Sequence, residues 1–288
     1  MPYLIFASII WSFSFGLIKG NLSALHPNLI SFIRMGLSFF IFIPFIGIKN
    51  IDLKIKLRFI LIGVVQYGFM YIAYIYSYGF LKSYEVALFT IFTPFYVLFI
   101  HDTIRKRLIK KHLFIALLAI IGAAIITYGD ITSSSFLVGF ILIQLSNIFF
   151  AWGQVKYRDL MREREDLKDR NIFAYLYFGA FIVTFVAVLF TVDIKTVLFT
   201  SKEIYTLLYL GTIPSGIAFF LWNYGVRKSK IGTISVFNNL KIPFAIIISM
   251  TIFGEDGNLI RILIGCLILI SAITYNELST KKSNGNFW

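Results

Sequence analysis

Long apolar runs separated by short polar segments are the dominant pattern along this chain. A helix needs roughly 18–23 apolar residues, at about 1.5 Å per residue, to cross about 30 Å of hydrocarbon. Ten runs of that length are present, and each predicts a transmembrane helix. We place them at residues 2–19, 27–48, 58–80, 84–102, 112–129, 136–156, 172–192, 204–225, 231–253 and 259–277. The expected fold class is therefore an all-α polytopic membrane protein.

The composition supports a membrane environment. Hydrophobic residues make up 58% of the 288 residues and charged residues 14%, and the mean hydropathy is +0.82. These values lie outside the range of soluble proteins, because a soluble core of this size cannot bury so much apolar surface. The many Ile, Phe, Lys, Asn and Tyr residues are typical of an AT-rich genome. We therefore expect an integral protein of the plasma membrane of a bacterium.

Lysine and arginine are distributed unevenly between the two sides of the predicted spans. Of the 27 basic residues, twenty fall in loops or at span ends on one side and five in loops or at span ends on the other. The remaining two, Arg34 and Lys241, lie inside spans. Cytoplasmic loops are the basic ones in membrane proteins, so both termini are predicted to be cytoplasmic. The net charge of +13 follows from this topology, and we predict no nucleic-acid partner.

Short sequence matches recur in the same order in the two halves of the chain. "YGFLKS" at 78–83 is repeated as "YGVRKS" at 224–229, and "ITYGD" at 126–130 as "ITYNE" at 273–277. Each half contains five spans, an odd number, so the second half enters the membrane from the opposite side. The matches therefore predict an inverted repeat, an architecture common among secondary transporters.

The predicted division follows from this repeat. Residues 1–130 form the first five-helix repeat and residues 131–288 the second. A charged cytoplasmic linker is expected at about 157–171, between the sixth and seventh spans.

Four local patterns occur in these spans: "WSFSFGLIK" in span 1, an arginine in "FIRMGLSFF" of span 2, Pro–Phe in spans 4 and 9, and "IFGE" at the end of span 9. Together with the arrangement of five plus five spans, they resemble the EamA-type branch of the drug/metabolite transporter superfamily. The chain departs from the pattern where span 4 ends "FIHDTIRKR" without a Gly–Glu pair. The resemblance implies a carrier of small polar metabolites, often an exporter of amino acids.

Lys241 is the main candidate for substrate binding. It lies about ten residues from either end of its span, roughly 15 Å from each interface, and no carboxylate is found at matching depth in any span. Such a lysine faces a hydrated cavity, loses its proton, bonds to freed backbone carbonyls, or awaits an anionic ligand. Our hypothesis is that it binds an anionic group of the substrate, assisted by Asn238. Pro94 and Pro243 weaken their helices nearby and free carbonyl acceptors.

Aromatic residues supply candidate walls for the same site. Tyr67, Tyr71, Tyr74 and Tyr78 recur at helical spacing and therefore share a face of span 3. Further candidates, each with ordinary packing as its alternative role, are Trp11, Trp152, Trp222 and Asn223.

Arg34 and Glu85 are candidates for a gate or for a structural role. Arg34 is about seven residues into span 2, where its side chain can reach the interface or pair with Glu85. Glu85 has an equally good alternative role as a cap at the start of span 4.

These patterns predict a facilitative or exchange transporter, most simply an exporter of amino acids or related carboxylates, working by alternating access. A flippase for a lipid-linked intermediate stays open, and a membrane-embedded enzyme is less favoured. No enzyme activity, metal site or cofactor is predicted, because no catalytic or ligand cluster occurs. The expected partners are a small molecule with an anionic group and the lipid bilayer. Either a monomer or a homodimer fits.

Overall fold

A computed structural model describes residues 2–47, 51–106, 134–229 and 231–255, together with positions 260, 264, 267 and 271. The predicted span at 112–129 lies outside the described residues, as does the span at 259–277 except for those four positions. Within the described ranges, every regular element is helical. The predicted all-α class is therefore confirmed for this part of the chain.

Eight long helices make up the described part of the fold. They are α1 (Pro2–Leu22), α2 (Pro27–Phe45), α3 (Leu53–Ser77), α4 (Ser83–Ile104), α5 (Ser134–Glu163), α6 (Asp169–Thr191), α7 (Ser201–Lys228) and α8 (Ile231–Thr251). Seven of these, α1 to α7, are long and apolar enough to cross a membrane. The polytopic membrane class is thereby supported, while the count of ten spans and the side of the termini stay predictions.

Three of the long helices change their hydrogen-bond pattern part-way along. In α4, a 3₁₀ turn at Thr90–Phe92 precedes Pro94, which has no N–H to continue the helical ladder. In α3 and α7, π-helical turns occupy Val64–Phe69 and Ile213–Ala218. Turns of this kind are rare and are often found at functional sites.

Glycines permit the closest helix crossings. A Cβ atom added to Gly63 of α3 would lie 1.8 Å from the carbonyl oxygen of Leu176 in α6, and one on Gly179 would lie 2.2 Å from that of Ile60. No side chain fits there, so the two backbones touch directly. Large apolar side chains such as Phe40 and Phe190 are exposed on the outside, as expected for surfaces that face lipid.

The "IFGE" segment fastens the end of α8 to the start of α4. Gly254 adopts a positive φ of 64°, which turns the chain after the helix. The Glu255 carboxylate then accepts hydrogen bonds from the backbone N–H groups of Ser83 at 2.9 Å and Tyr84 at 3.1 Å. It therefore caps the first turn of α4, where such N–H groups lack helical partners.

Helix α5 is longer than the membrane requires. Its 30 residues span about 45 Å, against about 30 Å of hydrocarbon. The helix continues through the first part of the predicted linker, and only residues 164–168 connect α5 to α6. At this end, Asp169 accepts hydrogen bonds from Tyr157 of α5 at 2.6 Å and from Arg227 of α7 at 2.7 Å. These two hydrogen bonds hold α5, α6 and α7 together.

Candidate functional site

A small cavity of about 60 Å³ lies among seven of the helices. Two cationic side chains reach it, Arg34 from α2 and Lys241 from α8. The other lining residues are hydroxyl or amide side chains (Ser14, Tyr71, Tyr74, Thr90, Thr93, Ser146 and Asn147) and apolar side chains (Trp11, Phe15, Met70, Phe150 and Phe219). Nine of these fourteen lining residues carry a polar or charged group and five are apolar, so the lining can contact both the polar and the apolar parts of a small molecule.

Lys241 presents its ammonium group to aromatic rings. The residue is 6% exposed, and its Nζ lies 5.2 Å from the centroid of the Trp11 ring and 5.9 Å from that of Phe150. Among the described residues, no hydrogen bond or ion pair to this ammonium is found. Ring faces attract a cation by about 0.5–2 kcal/mol, which is less than the several kcal/mol that burying an unpaired charge costs. The ammonium is therefore well placed to bind an anion.

Asn238 lies near Lys241 on α8 but not in the cavity lining. Its Nδ2 donates to the carbonyl oxygen of Ile234 at 3.1 Å, and its buried Oδ1 has no hydrogen-bond partner in the described part of the chain. Pro243 is exposed on the outside of α8, which continues past it to Thr251.

Arg34 is the second cation, and its hydrogen bonds go to hydroxyl groups. The residue is 1% exposed. Its Nε donates to Ser215 Oγ at 2.9 Å, and one terminal nitrogen, Nη2, donates to Tyr71 Oη at 3.1 Å. The two hydroxyls are themselves 2.8 Å apart. Glu85 was predicted either to pair with Arg34 or to cap the start of span 4, and it accepts a hydrogen bond from the backbone N–H of Lys82 at 2.8 Å, at the start of α4.

The π-helical turn of α7 positions Ser215. The carbonyl oxygen of Pro214 accepts a 3.0 Å hydrogen bond from Trp11 Nε1. The hydroxyl of Tyr177 donates to the carbonyl oxygens of Ser215 and Gly216. Side chains from α1 and α6 therefore satisfy the carbonyls that leave the regular helical ladder, and these hydrogen bonds place the turn beside the cavity.

A polar cluster between α4 and α5 was not among the residues predicted from sequence. Asn147 donates to the carbonyl oxygen of Phe89 at 2.7 Å and accepts from Thr93 Oγ1 at 3.1 Å. It thereby satisfies a carbonyl next to the 3₁₀ turn that precedes Pro94, and Pro94 is itself buried. The signal that indicates this cluster is "QLSN" at 144–147, three polar residues within an apolar span.

The predicted binding residues divide into two groups. Trp11, Tyr71, Tyr74 and Lys241 line the cavity, and Tyr78 lies behind it, with its hydroxyl 2.7 Å from that of Tyr74.

The remaining predicted residues lie in a buried polar layer beside the cavity or apart from it. Asn223 donates to Tyr67 Oη at 2.8 Å and accepts from Gln66 Nε2 at 3.1 Å. Trp222 is fully buried, and its Nε1 donates to Gln154 Oε1 at 3.2 Å. Trp152 is partly buried, packs against the core and does not line the cavity.

The family can be decided by comparison with known proteins. The EamA-like transporter family matches this chain over residues 1–128 and 137–276. The chain belongs to the EamA-like transporter family. The resemblance found in the sequence is thereby confirmed, and with the seven apolar helices it supports an integral protein of the bacterial plasma membrane.

Curated relatives match nearly the whole chain. The biotin transporter of Salmonella typhimurium is 35% identical over 95% of this chain and 91% of its own length. That of Escherichia coli is 34% identical over the same shares. The probable biotin transporter of Pseudomonas aeruginosa is 31% identical over 98% of this chain and 99% of its own length. A solved crystal structure at 14% identity covers 97% of this chain and 96% of its own, with a TM-score of 0.72, which shows the fold alone.

The predicted substrate class is corrected by these relatives. An exporter of amino acids was expected, but proteins at 31–35% identity over most of the chain are named for biotin. The prediction of amino acid transport is therefore wrong. The amino acid was implied by the family resemblance, and a fold shared by a family does not fix the substrate. The buried lysine could not correct it, because an ammonium that can bind an anionic group says nothing about the rest of the molecule that carries it.

Proposed function

We propose that this chain is a biotin transporter of the plasma membrane. The observation that carries the proposal is the match to named biotin transporters over 95–98% of the chain. The unmatched 2–5% of the chain is shorter than any helix that lines the cavity.

The chemistry of the cavity supports this substrate. Biotin has a carboxylate at the end of a hydrocarbon tail and a fused bicyclic ring with an uncharged ureido group. The ammonium of Lys241 can bind the carboxylate by a charge-assisted hydrogen bond. Trp11, Phe15 and Phe150 offer apolar faces to the hydrocarbon part. The residue types in the cavity thus match both halves of the molecule.

Entry of a substrate requires the helices to move. A cavity of about 60 Å³ is far smaller than the roughly 300–1,000 Å³ of ordinary ligand sites. We propose that this is a closed conformation of an alternating-access cycle. The π-helical turns of α3 and α7 lie in spans that the predicted inverted repeat pairs, at nearly the offset of the repeated sequences. They are therefore candidates for the paired hinges of such a cycle.

Uptake of radiolabelled biotin tests the proposal. The chain is expressed in bacterial cells that lack both biotin synthesis and their own biotin transporter. We expect saturable uptake that excess unlabelled biotin abolishes and amino acids do not affect. Counterflow in proteoliposomes, with biotin trapped inside, separates transport from metabolic use. Absence of biotin flux from membrane-inserted, monodisperse protein would refute the proposal.

A further inference from the structure

We infer that the site recognises its substrate at two poles: Lys241 binds the carboxylate, and Arg34, held by Tyr71 and Ser215, binds the uncharged ureido end. This inference rests on the proposed function and assigns an orientation to the substrate within that site.

Arg34 has N–H donors that its hydrogen bonds to Ser215 and Tyr71 do not use. A guanidinium carries five N–H groups, and the hydrogen bonds to Ser215 and Tyr71 use Nε and Nη2. The other terminal nitrogen, Nη1, is buried and has no hydrogen-bond partner among the residues that the structure describes, although Arg34 lines the cavity. Leaving a charged donor unsatisfied in the interior costs more than leaving a neutral one. An acceptor supplied by the substrate would remove that cost.

The neighbours of the two cations differ in chemistry. The groups against the Lys241 ammonium are the ring faces of Trp11 and Phe150, which offer no hydrogen-bond acceptor. The guanidinium of Arg34 also lies over a ring, that of Tyr71 at 4.7 Å, but it is hydrogen-bonded to two hydroxyl groups, which both donate and accept. A carboxylate only accepts hydrogen bonds, whereas a ureido group accepts at oxygen and donates at nitrogen. The carboxylate therefore matches the lysine pole, and the ureido group matches the arginine pole.

Trp11 connects the two poles. One face of its ring lies beneath the Lys241 ammonium, and its Nε1 is bonded to the carbonyl oxygen of Pro214, the residue before Ser215. The indole therefore extends from one pole towards the other. It provides an apolar surface where the hydrocarbon tail between carboxylate and ring would lie.

Competition with two analogues tests the orientation. Biotinamide replaces the carboxylate by a neutral amide, and iminobiotin replaces the ureido group by a guanidine that is protonated at neutral pH. Each analogue therefore changes the group that one pole is inferred to bind and leaves the other group unchanged. We measure the concentration of each that halves biotin uptake by the wild type, by Arg34→Gln and by Lys241→Met. One charge-assisted contact is worth about 1.5–3 kcal/mol, so the wild type should prefer biotin to each analogue about 10- to 100-fold.

Each variant should lose one preference and keep the other. In Arg34→Gln, the preference for biotin over iminobiotin should fall to within about threefold, because the repelling cation and the donor are both gone, while the preference over biotinamide persists. In Lys241→Met, the preference for biotin over biotinamide should fall in the same way, while the preference over iminobiotin persists. A purely structural Arg34 would weaken transport of all three compounds alike and leave both ratios unchanged, which would overturn the inference. Loss of the biotinamide ratio in Arg34→Gln would invert the orientation and overturn it too.

Ser215→Ala covers the case in which Arg34→Gln does not fold. This variant keeps the guanidinium but removes one hydroxyl that holds it. We expect the iminobiotin ratio to fall about 3- to 10-fold, with the biotinamide ratio unchanged. Unchanged selectivity in Ser215→Ala would overturn the inference. Failure of the wild type to take up biotin at all refutes the proposed function itself, so the two failures are distinguishable.

Discussion

Replacing Lys241 with methionine should lower transport while raising the stability of the empty protein. Methionine keeps much of the length and volume of the side chain but removes the ammonium. In the empty protein, that charge is buried against two aromatic rings and has no hydrogen-bond or ion-pair partner among the described residues. The same group therefore destabilises the unliganded state and stabilises the liganded one.

The magnitudes follow from the structure. Removing one partner of a buried charge pair costs about 2–5 kcal/mol, so a loss of about 3 kcal/mol gives roughly a 100-fold rise in the concentration for half-maximal biotin uptake. In the empty protein, each of the two ring contacts stabilises the ammonium by at most about 0.5–2 kcal/mol, whereas removing the ammonium from water costs several kcal/mol. We expect the variant to be more stable by about 1–2 kcal/mol, or several degrees in melting temperature.

Two measurements check this prediction, initial rates of biotin uptake and thermal unfolding in detergent. Lys202→Met is the matched control, because Lys202 is exposed at the start of α7 and lies outside the cavity. It should leave both quantities unchanged. Wild-type uptake by Lys241→Met would refute the reasoning about the substrate. A lower melting temperature combined with lost uptake would refute the reasoning about the empty site and show that the lysine supports the fold.

Three further predictions concern the helix contacts. Gly63→Ala should prevent assembly of monodisperse protein, since the added Cβ would lie 1.8 Å from a backbone carbonyl oxygen. Gly79→Ala is the control, because its Cβ would make no contact closer than 3.4 Å with the described residues. It should elute as monodisperse protein in size-exclusion chromatography. Asp169→Asn should lower the free energy of unfolding by about 3–5 kcal/mol, because it leaves a partly buried arginine unpaired, while Asp166→Asn in an exposed ion pair should change it by less than about 1 kcal/mol. Glu255→Ala should cost about 1–2 kcal/mol in thermal unfolding by removing the cap of α4, and an unchanged melting temperature would contradict that role.

The two cations could be predicted from the sequence, because the depth of a residue within a span can be counted along the chain. Arg34 and Lys241 are the only basic residues that the loop count leaves inside the predicted spans, and both line the cavity. Ionisable groups in a membrane are rare and expensive, which makes each one informative. Tyr71 and Tyr74 were predicted in a different way, from the helical spacing of the tyrosines in span 3.

The cavity walls from α4 and α5 could not be found in this way. Thr93 and Asn147 become part of the site only because these two helices run side by side, and a single sequence does not record which helices are neighbours. Trp222 and Asn223 have residue types suited to binding, but their polar groups are satisfied by Gln154, Gln66 and Tyr67. Substrate identity was also beyond reach, since carboxylates of many kinds would suit one lysine.

The π-helical turn in α3 fixes the rotational phase of everything that follows it in that helix. A π-helical turn holds one residue more than an α-helical turn, and each residue corresponds to about 100° of rotation. Shortening residues 64–69 by one would therefore swing Tyr71 and Tyr74 about 100° around the helix axis and away from the cavity. The aromatic wall thus depends on the number of residues in one turn, so its presence in another chain can be judged from an alignment gap as well as from the residues themselves.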